Sequence, residues 1–367
     1  MGAGERRTSL SHREKCCVLR RTCSSVCVAT VGFVSILGVS LLWLPEPRIV
    51  DPLVSKVNSP VTILIWTQPF GHYSSLPDCS ELYQIDQCTL TDDARAYLHA
   101  DAVIVHHREV ATGKADLPPE PRPRAQKWIW MNFESPTHTH RLRYFEGVFN
   151  LTMTYRTDSD IFVPYGYLFR NKGVQNHFVH PLRVPTRSRL HRPRLVVWVV
   201  SNWSESHARV AFYYSLSRYI RVDVFGRAGR PVPKDSTVVR LVERYQFYLA
   251  LENSQHTDYI TEKLWNAVQA GAIPVVLGPS RQNYERFLPP EAFIHVDDFP
   301  TVRGLARYLM MLRRNPARLR RHLNWRGSYS MHQASFWAEH YCTACNAVMR
   351  NRGRTDVVQH LTGWFES

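Results

Sequence analysis

From Leu251 to Trp265 the chain crowds seven side chains that ionise or hydrogen-bond between two apolar runs: Glu252, Asn253, Gln255, His256, Asp258, Glu262 and Lys263. Upstream, Phe247 to Leu251 predicts a buried strand. Downstream, Glu262 to Ala270 has helical spacing and is closed by Gly271, and Ile273 to Leu277 predicts the next buried strand. The polar cluster therefore lies where strand feeds helix in a βαβ unit, the place where open α/β sheets take their ligands. A helix N-terminus there offers unpaired N–H groups and a positive dipole end, which suit a phosphate, and Lys263 adds a cation. Arg209, near the start of a helix behind the strand-like run Leu195 to Ser201, is a second candidate cation for a departing diphosphate. Asn253, Tyr259 and Glu262 are candidates to hold ribose, base or a transferred group, and Tyr259 reads equally as a core aromatic. The plainer reading of these residues is a capped loop with a solvated lysine and a solvated helix arginine.

Glu134 stands directly behind a second apolar run, Lys127 to Asn132, and before Ser135-Pro136, which marks a sharp turn. A carboxylate at the mouth of an aromatic-lined cleft, partly stripped of water, suits general-base work near neutral pH. Moving a sugar from a nucleotide to a hydroxyl needs such a base, a clamp for the leaving diphosphate and a surface for the acceptor. Taken alone, Glu134 reads as well as a salt-bridge partner beside a turn. Asp158-Ser159-Asp160 has the form that holds a divalent ion in one class of sugar-nucleotide enzymes, and hard oxygen ligands suit such ions. Ile161 to Gly166 make it a loop entering a strand, so turn capping is preferred and no metal site is expected. His106, His107, His138 and His140 show no helical His-x-x-His spacing and are expected to pack or hydrogen-bond rather than bind zinc.

These groups need a scaffold. Val61 to Trp66, Asp101 to His106 and Lys127 to Asn132 are apolar runs, the last two with polar residues directly behind them, which predicts parallel α/β construction. Residues 171–194, rich in Pro, Arg and His, read as a linker. A second series runs through Leu195 to Ser201, Arg221 to Gly226, 247–251, 273–277 and Phe293 to Val296, with helices over Glu205 to Tyr219 and 301–314. The expectation is two Rossmann-like domains facing a cleft, 61–192 on the acceptor side and 193–330 on the nucleotide side. The tail 331–367 is expected to return to the first.

Cys23 to Leu44 carries no charge, long enough for a single transmembrane helix, and six basic residues precede it against two acidic ones. This predicts a cytoplasmic tail (1–22), a signal-anchor (23–44), a stem (45–60) and a lumenal remainder. A cleaved signal peptide is disfavoured by the length of the apolar run and the lack of a small-residue cleavage pattern. Asn150-Leu151-Thr152 and Asn202-Trp203-Ser204 are glycosylation sequons that suit that compartment. The net charge is +15, with +4 in residues 1–44 and +11 beyond them. In a lumen, that excess fits a sugar-nucleotide diphosphate and not nucleic acid. Four of the eight cysteines lie in or beside the apolar segment; the others, Cys79, Cys88, Cys342 and Cys345, form an even set that an oxidising lumen turns into two disulfides. Three pairings are open, a local Cys342–Cys345 bridge among them. Cys79–Cys342 with Cys88–Cys345 is preferred, since it fastens the tail to the first domain, and a four-cysteine zinc site is disfavoured.

With these residues in hand, the chain resembles the vertebrate α1,3-fucosyltransferases that make Lewis-type antigens, glycosyltransferase family ten, with the nine-type and seven-type members nearest in pattern. The resemblance covers roughly residues 60–367. Its blocks are KWIWMNFESPTH (Lys127 to His138), YRTDSDIFVPYG (Tyr155 to Gly166), VSNWSESHARV (Val200 to Val210), Glu252 to Gly278, and Phe293 to Phe299. It implies the GT-B architecture, a single-pass type II Golgi membrane enzyme with its catalytic part lumenal, and an inverting transfer of fucose. The donor would be GDP-fucose and the acceptor the 3-hydroxyl of GlcNAc in N-acetyllactosamine on glycoproteins and glycolipids, giving Lewis x or sialyl Lewis x products. By motif match Glu134 is the base, Arg209 and Lys263 hold the diphosphate, and Asn253, Tyr259 and Glu262 bind donor. No cofactor is required; Mn²⁺ stimulation and a homodimer are compatible with it. Leu251 replaces a usual phenylalanine and Thr157 a common arginine, which bears on fine specificity. The competing readings are another nucleotide-sugar transferase on the same scaffold, or an inactive lectin-like relative.

Overall fold

The computed structural model describes residues 60–71, 75–171 and 192–367, with the backbone of 182–183. The expected cytoplasmic tail, signal-anchor and stem, and most of the linker, lie outside the described residues; among the described helices none is long and apolar enough to cross a membrane. In chain order the elements are β1 (Val61–Ile65), α1 (Cys79–Tyr83), β2 (Cys88–Thr91), β3 (Ala102–His106), α2 (His107–Ala111), β4 (Lys127–Asn132), β5 (Leu151–Thr154) and β6 (Ile161–Phe162). There follow β7 (Gly166–Arg170), β8 (Leu182–Arg183), β9 (Arg194–Val199), α3 (Ala208–Ser217), β10 (Val222–Phe225), α4 (Val238–Val242), β11 (Tyr245–Leu251) and α5 (Glu262–Gln269). The last are β12 (Ile273–Leu277), α6 (Arg281–Glu285), β13 (Ile294–His295), α7 (Val302–Arg314), α8 (Pro316–Arg321), β14 (Tyr329–Gln333), α9 (Ala338–Arg350) and α10 (Leu361–Glu366).

Two parallel sheets result. The first has the order β2-β1-β3-β4-β5-β6 and the second β10-β9-β11-β12-β13. Every residue of β3, β4, β11 and β12 is buried, as parallel strands covered on both faces must be. The strand order reverses between β1 and β3 in the first sheet and between β9 and β11 in the second, so each has a crevice at its carboxyl edge. A small antiparallel sheet, β7-β14-β8, joins the segment leaving the first sheet to the one leaving the second. Gly166 opens β7 because a Cβ there would stand 2.6 Å from the Trp265 ring of α5.

The first sheet's own connections hold only two five-residue α-helices among the described residues, too little to cover it. The C-terminal tail supplies the rest. α9 packs Tyr341, Ala344, Ala347 and Val348 against one face, with Val61, Ile63, Ile104 and Met131. α10 packs Leu361 and Phe365 against the other, where the Phe365 ring lies edge-on to Trp130 at 4.9 Å. Disulfides Cys79–Cys342 and Cys88–Cys345 close the arrangement.

Two expected elements are shorter than their patterns suggested. The helix expected from Glu205 begins at Ala208, because Ser204 to His207 are spent in a turn in which the His207 N–H bonds the Ser204 carbonyl. The strand expected from Phe293 to Val296 shrinks to two residues, since His295 accepts from the Asp297 N–H and turns the chain.

The loops closed by the two bridges span 263 and 257 residues. Removing one, by Cys79→Ser or by Cys342→Ser, is expected to cost about 2–5 kcal/mol. Both variants should show the same lowered urea midpoint and the same gain in proteolysis of the tail; unequal effects would contradict the pairing.

Candidate active site

Glu252 leaves the end of β11 and is buried. Its N–H extends the ladder to the Leu277 carbonyl at 2.8 Å, and its carboxylate accepts from the Thr261 N–H at 2.9 Å and the Thr261 hydroxyl at 2.8 Å. Gly278 leaves room for it: a Cβ there would lie 3.2 Å from Glu252 Cγ and 2.5 Å from the Tyr284 hydroxyl. Lys263 Nζ sits 3.0 Å from Glu252, 3.2 Å from Glu262 and 2.6 Å from the Thr261 hydroxyl. Burial alone would lower the Lys263 pKa, but the Glu252 and Glu262 carboxylates outweigh it and raise it. Burial raises the Glu252 pKa against the pull of Lys263. Lys263 is therefore the charged ammonium expected from the sequence, already paired with two carboxylates.

Arg209, the second residue of α3, is the cation of this cluster that lacks a carboxylate partner among the described residues. Its guanidinium is buried and donates to the carbonyls of Leu251, at 3.4 Å, and Asn202. Nε has no partner, and among the described residues Arg209 makes no ion pair. Burial pulls its pKa down while the fields of Glu252, Tyr259 and Glu262 oppose the shift. A guanidinium between β9 and β11 with carbonyls as its only bonded partners is suited to a bidentate anion.

Tyr259 is buried on Tyr155, ring centroids 5.1 Å apart. Burial first, then the charges of Glu252, Glu134 and Glu262, hold its hydroxyl protonated, and its side chain bonds to that of Asn253. Tyr259 thus serves both the core and the site.

Glu134 lies at the carboxyl edge of the first sheet, two residues beyond the end of β4. Its N–H bonds Asn132 Oδ1 at 3.3 Å, and Asn132 in turn donates to the Thr139 hydroxyl at 2.9 Å, which fixes the turn. The carboxylate is 28% exposed and 3.8 Å from the Arg108 guanidinium. Trp128 and Trp130 point into the core, where the Trp130 N–H donates to His107 Nδ1 at 3.0 Å, and the aromatic groups near the carboxylate are instead Tyr155, Tyr165 and Tyr259, whose hydroxyls feel its charge. Alternation along β4 puts both indoles on one face of the sheet, so tyrosines from other segments and the Arg108 guanidinium, not indoles, border the carboxylate.

The two edges touch. The Ser254 hydroxyl donates to that of Ser135 at 2.6 Å, and His256 Nε2 and the Thr137 hydroxyl are 2.6 Å apart. The residues next to Glu134 and next to Asn253 are thus directly bonded. Thr157 donates from N and Oγ1 to Asp258 at 2.9 and 2.7 Å. Sequence reasoning gave Arg108, Thr261 and Arg286 no part here, and Thr157 only a bearing on fine specificity; a hydroxyl or guanidinium with unremarkable neighbours carries no signal until the chain is folded.

Other candidates serve the fold. Asp158 pairs with Arg156 at 2.9 Å and accepts from the Trp364 N–H, and Asp160 accepts from the N–H and hydroxyl of Thr152. His107 Nε2 donates to the His140 carbonyl at 2.8 Å. The Asn150 carboxamide accepts from the Trp128 N–H at 2.8 Å and donates to the Asp356 carbonyl at 2.8 Å, so a glycan on its nitrogen would displace the 355–356 segment. Asn202 is exposed.

Two parallel sheets meeting along a bonded seam, with a guanidinium and an ammonium on one side and a carboxylate on the other, define a two-lobed α/β glycosyltransferase. The chain belongs to glycosyltransferase family 10, the fucosyltransferases. The family's C-terminal part, described as glycosyltransferase family 10 (fucosyltransferase) C-term, matches residues 190–364, and the fucosyltransferase N-terminal part matches 58–166. The chain is 46% identical over 351 residues to human alpha-(1,3)-fucosyltransferase 4, covering 84% of this chain and 65% of that protein's length. It is 50% identical over 319 residues to the 4-galactosyl-N-acetylglucosaminide 3-alpha-L-fucosyltransferase FUT6 of Pongo pygmaeus, covering 86% of each. The solved structure of an alpha1,3-fucosyltransferase with GDP-fucose shares the fold, with a TM-score of 0.51 at 17% identity over 82% of this chain and 93% of that one.

Burial pushes the His107 pKa down from 6.5 to about 4. The unfolded chain binds that proton more readily, so the stability this site contributes is complete above pH 6.5 and lost as pH falls toward 4, by about 3 kcal/mol. Urea titrations between pH 7 and 5 should show this decline, with a shallower slope in His107→Gln.

Proposed function

We propose that this chain transfers fucose from GDP-fucose to the 3-hydroxyl of GlcNAc in N-acetyllactosamine, with inversion at the fucose anomeric carbon, on glycoproteins and glycolipids. The observation that carries the reading is the direct Ser135–Ser254 bond, which brings Glu134 and the Arg209–Lys263 side to one gap. The names of the relatives support the reaction and the acceptor class, and the related structure with GDP-fucose supports the donor.

In this mechanism Glu134 takes the proton of the acceptor hydroxyl as its oxygen attacks the anomeric carbon. The bond from that carbon to the β-phosphate oxygen breaks on the opposite side, and GDP leaves. Arg209 meets the charge on the departing diphosphate with donors that already point at the sheet edge. Lys263 joins by exchanging part of its bonding to Glu262 for phosphate oxygen, while Glu252 keeps it in place. Charge stabilisation of this kind acts where charge develops, at the leaving group. Tyr259 and Asn253 offer hydroxyl and amide donors to the sugar and ribose. The protein is anchored in the Golgi membrane by residues 23–44 with its catalytic part in the lumen, a reading supported by the uncharged run and the two long-range disulfides.

Assay of the purified protein with GDP-fucose and lactosamine, with linkage analysis of the product, tests the proposal; turnover with a UDP-sugar alone would overturn it. Glu134→Gln should lose about 10²–10⁴-fold in rate while GDP binding survives. Lys263→Ala should both weaken GDP-fucose binding and slow transfer. Near-normal turnover in Glu134→Gln would remove that residue from the role of base.

A further inference from the structure

Asp258 is buried and holds a left-handed backbone, with φ at 60°. Its carboxylate joins three stretches of chain. One oxygen accepts from the N–H and hydroxyl of Thr157, at 2.9 and 2.7 Å, in the loop between β5 and β6 of the first sheet. The other accepts from Asn283 Nδ2 at 2.6 Å and Arg286 Nη1 at 3.0 Å, at the end of α6 in the second series. Its own N–H donates to Asn283 Oδ1 at 2.8 Å, and Arg286 also donates to the Thr157 hydroxyl. Four donors from two lobes thus converge on one carboxylate, an arrangement that neither a neutral amide nor a longer acid reproduces.

The residue after Asp258 is Tyr259, and the loop 253–261 runs from the end of β11 to the start of α5. Its near side is bonded to the Glu134 segment through Ser254–Ser135 and His256–Thr137. Its far side is bonded through Asp258 alone to Thr157. We propose that Asp258 is a positioning residue: with Thr157 and Arg286 it holds the donor-side loop in register against the segment that carries Glu134, and so sets the gap across which the sugar passes, touching neither substrate. This rests on the proposed transfer reaction. Geometry is where such a residue acts. A shift of about 1 Å between reacting groups costs up to roughly 10²-fold in rate, while the phosphate contacts of Arg209 and Lys263, outside the loop, stay in place.

The test compares the full chain with Asp258→Asn, Thr157→Val and Thr157→Ser, measuring kcat, KM for both substrates, GDP affinity and backbone hydrogen exchange. Asp258→Asn turns an acceptor into an amide facing donors; Thr157→Val removes only a hydroxyl from a half-buried site and carries the test where Asp258→Asn does not fold. Both are expected to lower kcat by about 10- to 10²-fold, to weaken GDP binding far less than that, and to speed exchange in 135–139 and 253–261 together. Thr157→Ser, which keeps the hydroxyl, restores all three. Unchanged kcat, GDP affinity falling in step with kcat, or Thr157→Ser behaving as Thr157→Val would each overturn the proposal. A wild-type protein inert toward GDP-fucose defeats the transfer reading instead, and coupled exchange of the two segments then still decides whether Asp258 registers them.

Discussion

The buried carboxylate of Glu252 is the interaction around which the nucleotide side is built. It sits at the last position where β11 still pairs with β12, and water cannot reach it. A carboxylate in that setting needs donors, and it recruits them from Thr261 and Lys263, at the threshold and first turn of α5. That fixes where α5 begins, in which direction its N-terminus points, and how far Lys263 reaches. The loop between must then close in a set number of residues, which brings Asn253, Tyr259 and Asp258 to the seam. Removing one partner of such a pair leaves the other buried and unpaired, so the pair acts as one structural unit.

Charge is divided unevenly across the site as a consequence. Lys263 is neutralised locally, whereas Arg209 has only carbonyl partners and an idle Nε. In the proposed reaction, a diphosphate would therefore meet a preorganised guanidinium and a lysine that has to rebalance. Across the gap, the Arg108 guanidinium stands 3.8 Å from the partly exposed Glu134 carboxylate without closing it off.

The first sheet solves a different problem. Its short connections leave both faces under-covered, and α9 and α10 from the far end of the chain cover one face each. Bringing those ends together orders more than 250 residues of intervening chain, and two covalent links bear part of that entropic cost. The tail is thereby as much a part of the first lobe as the strands are.

Residue order alone determined a good deal. Apolar runs of five to seven residues with polar followers announced parallel strands and their functional edge, because a strand buried on both faces has no alternation to disguise it. The cluster from Glu252 to Lys263 announced a site, because so many polar groups crowd between two core segments only where something holds them. What tertiary structure decided was partnership. Lys263 was legible as a cation; its pairing with Glu252, eleven positions away, was not. Glu134 looked lined by the indoles of its own strand, yet those lie in the core and its aromatic neighbours, Tyr155, Tyr165 and Tyr259, come from other segments. Asp258 and Thr157, 101 residues apart, share no local pattern at all. Periodicity and local chemistry are properties of neighbours along the chain; charge balance, access to solvent and the width of a cleft are set by neighbours in space, and only the fold brings those together.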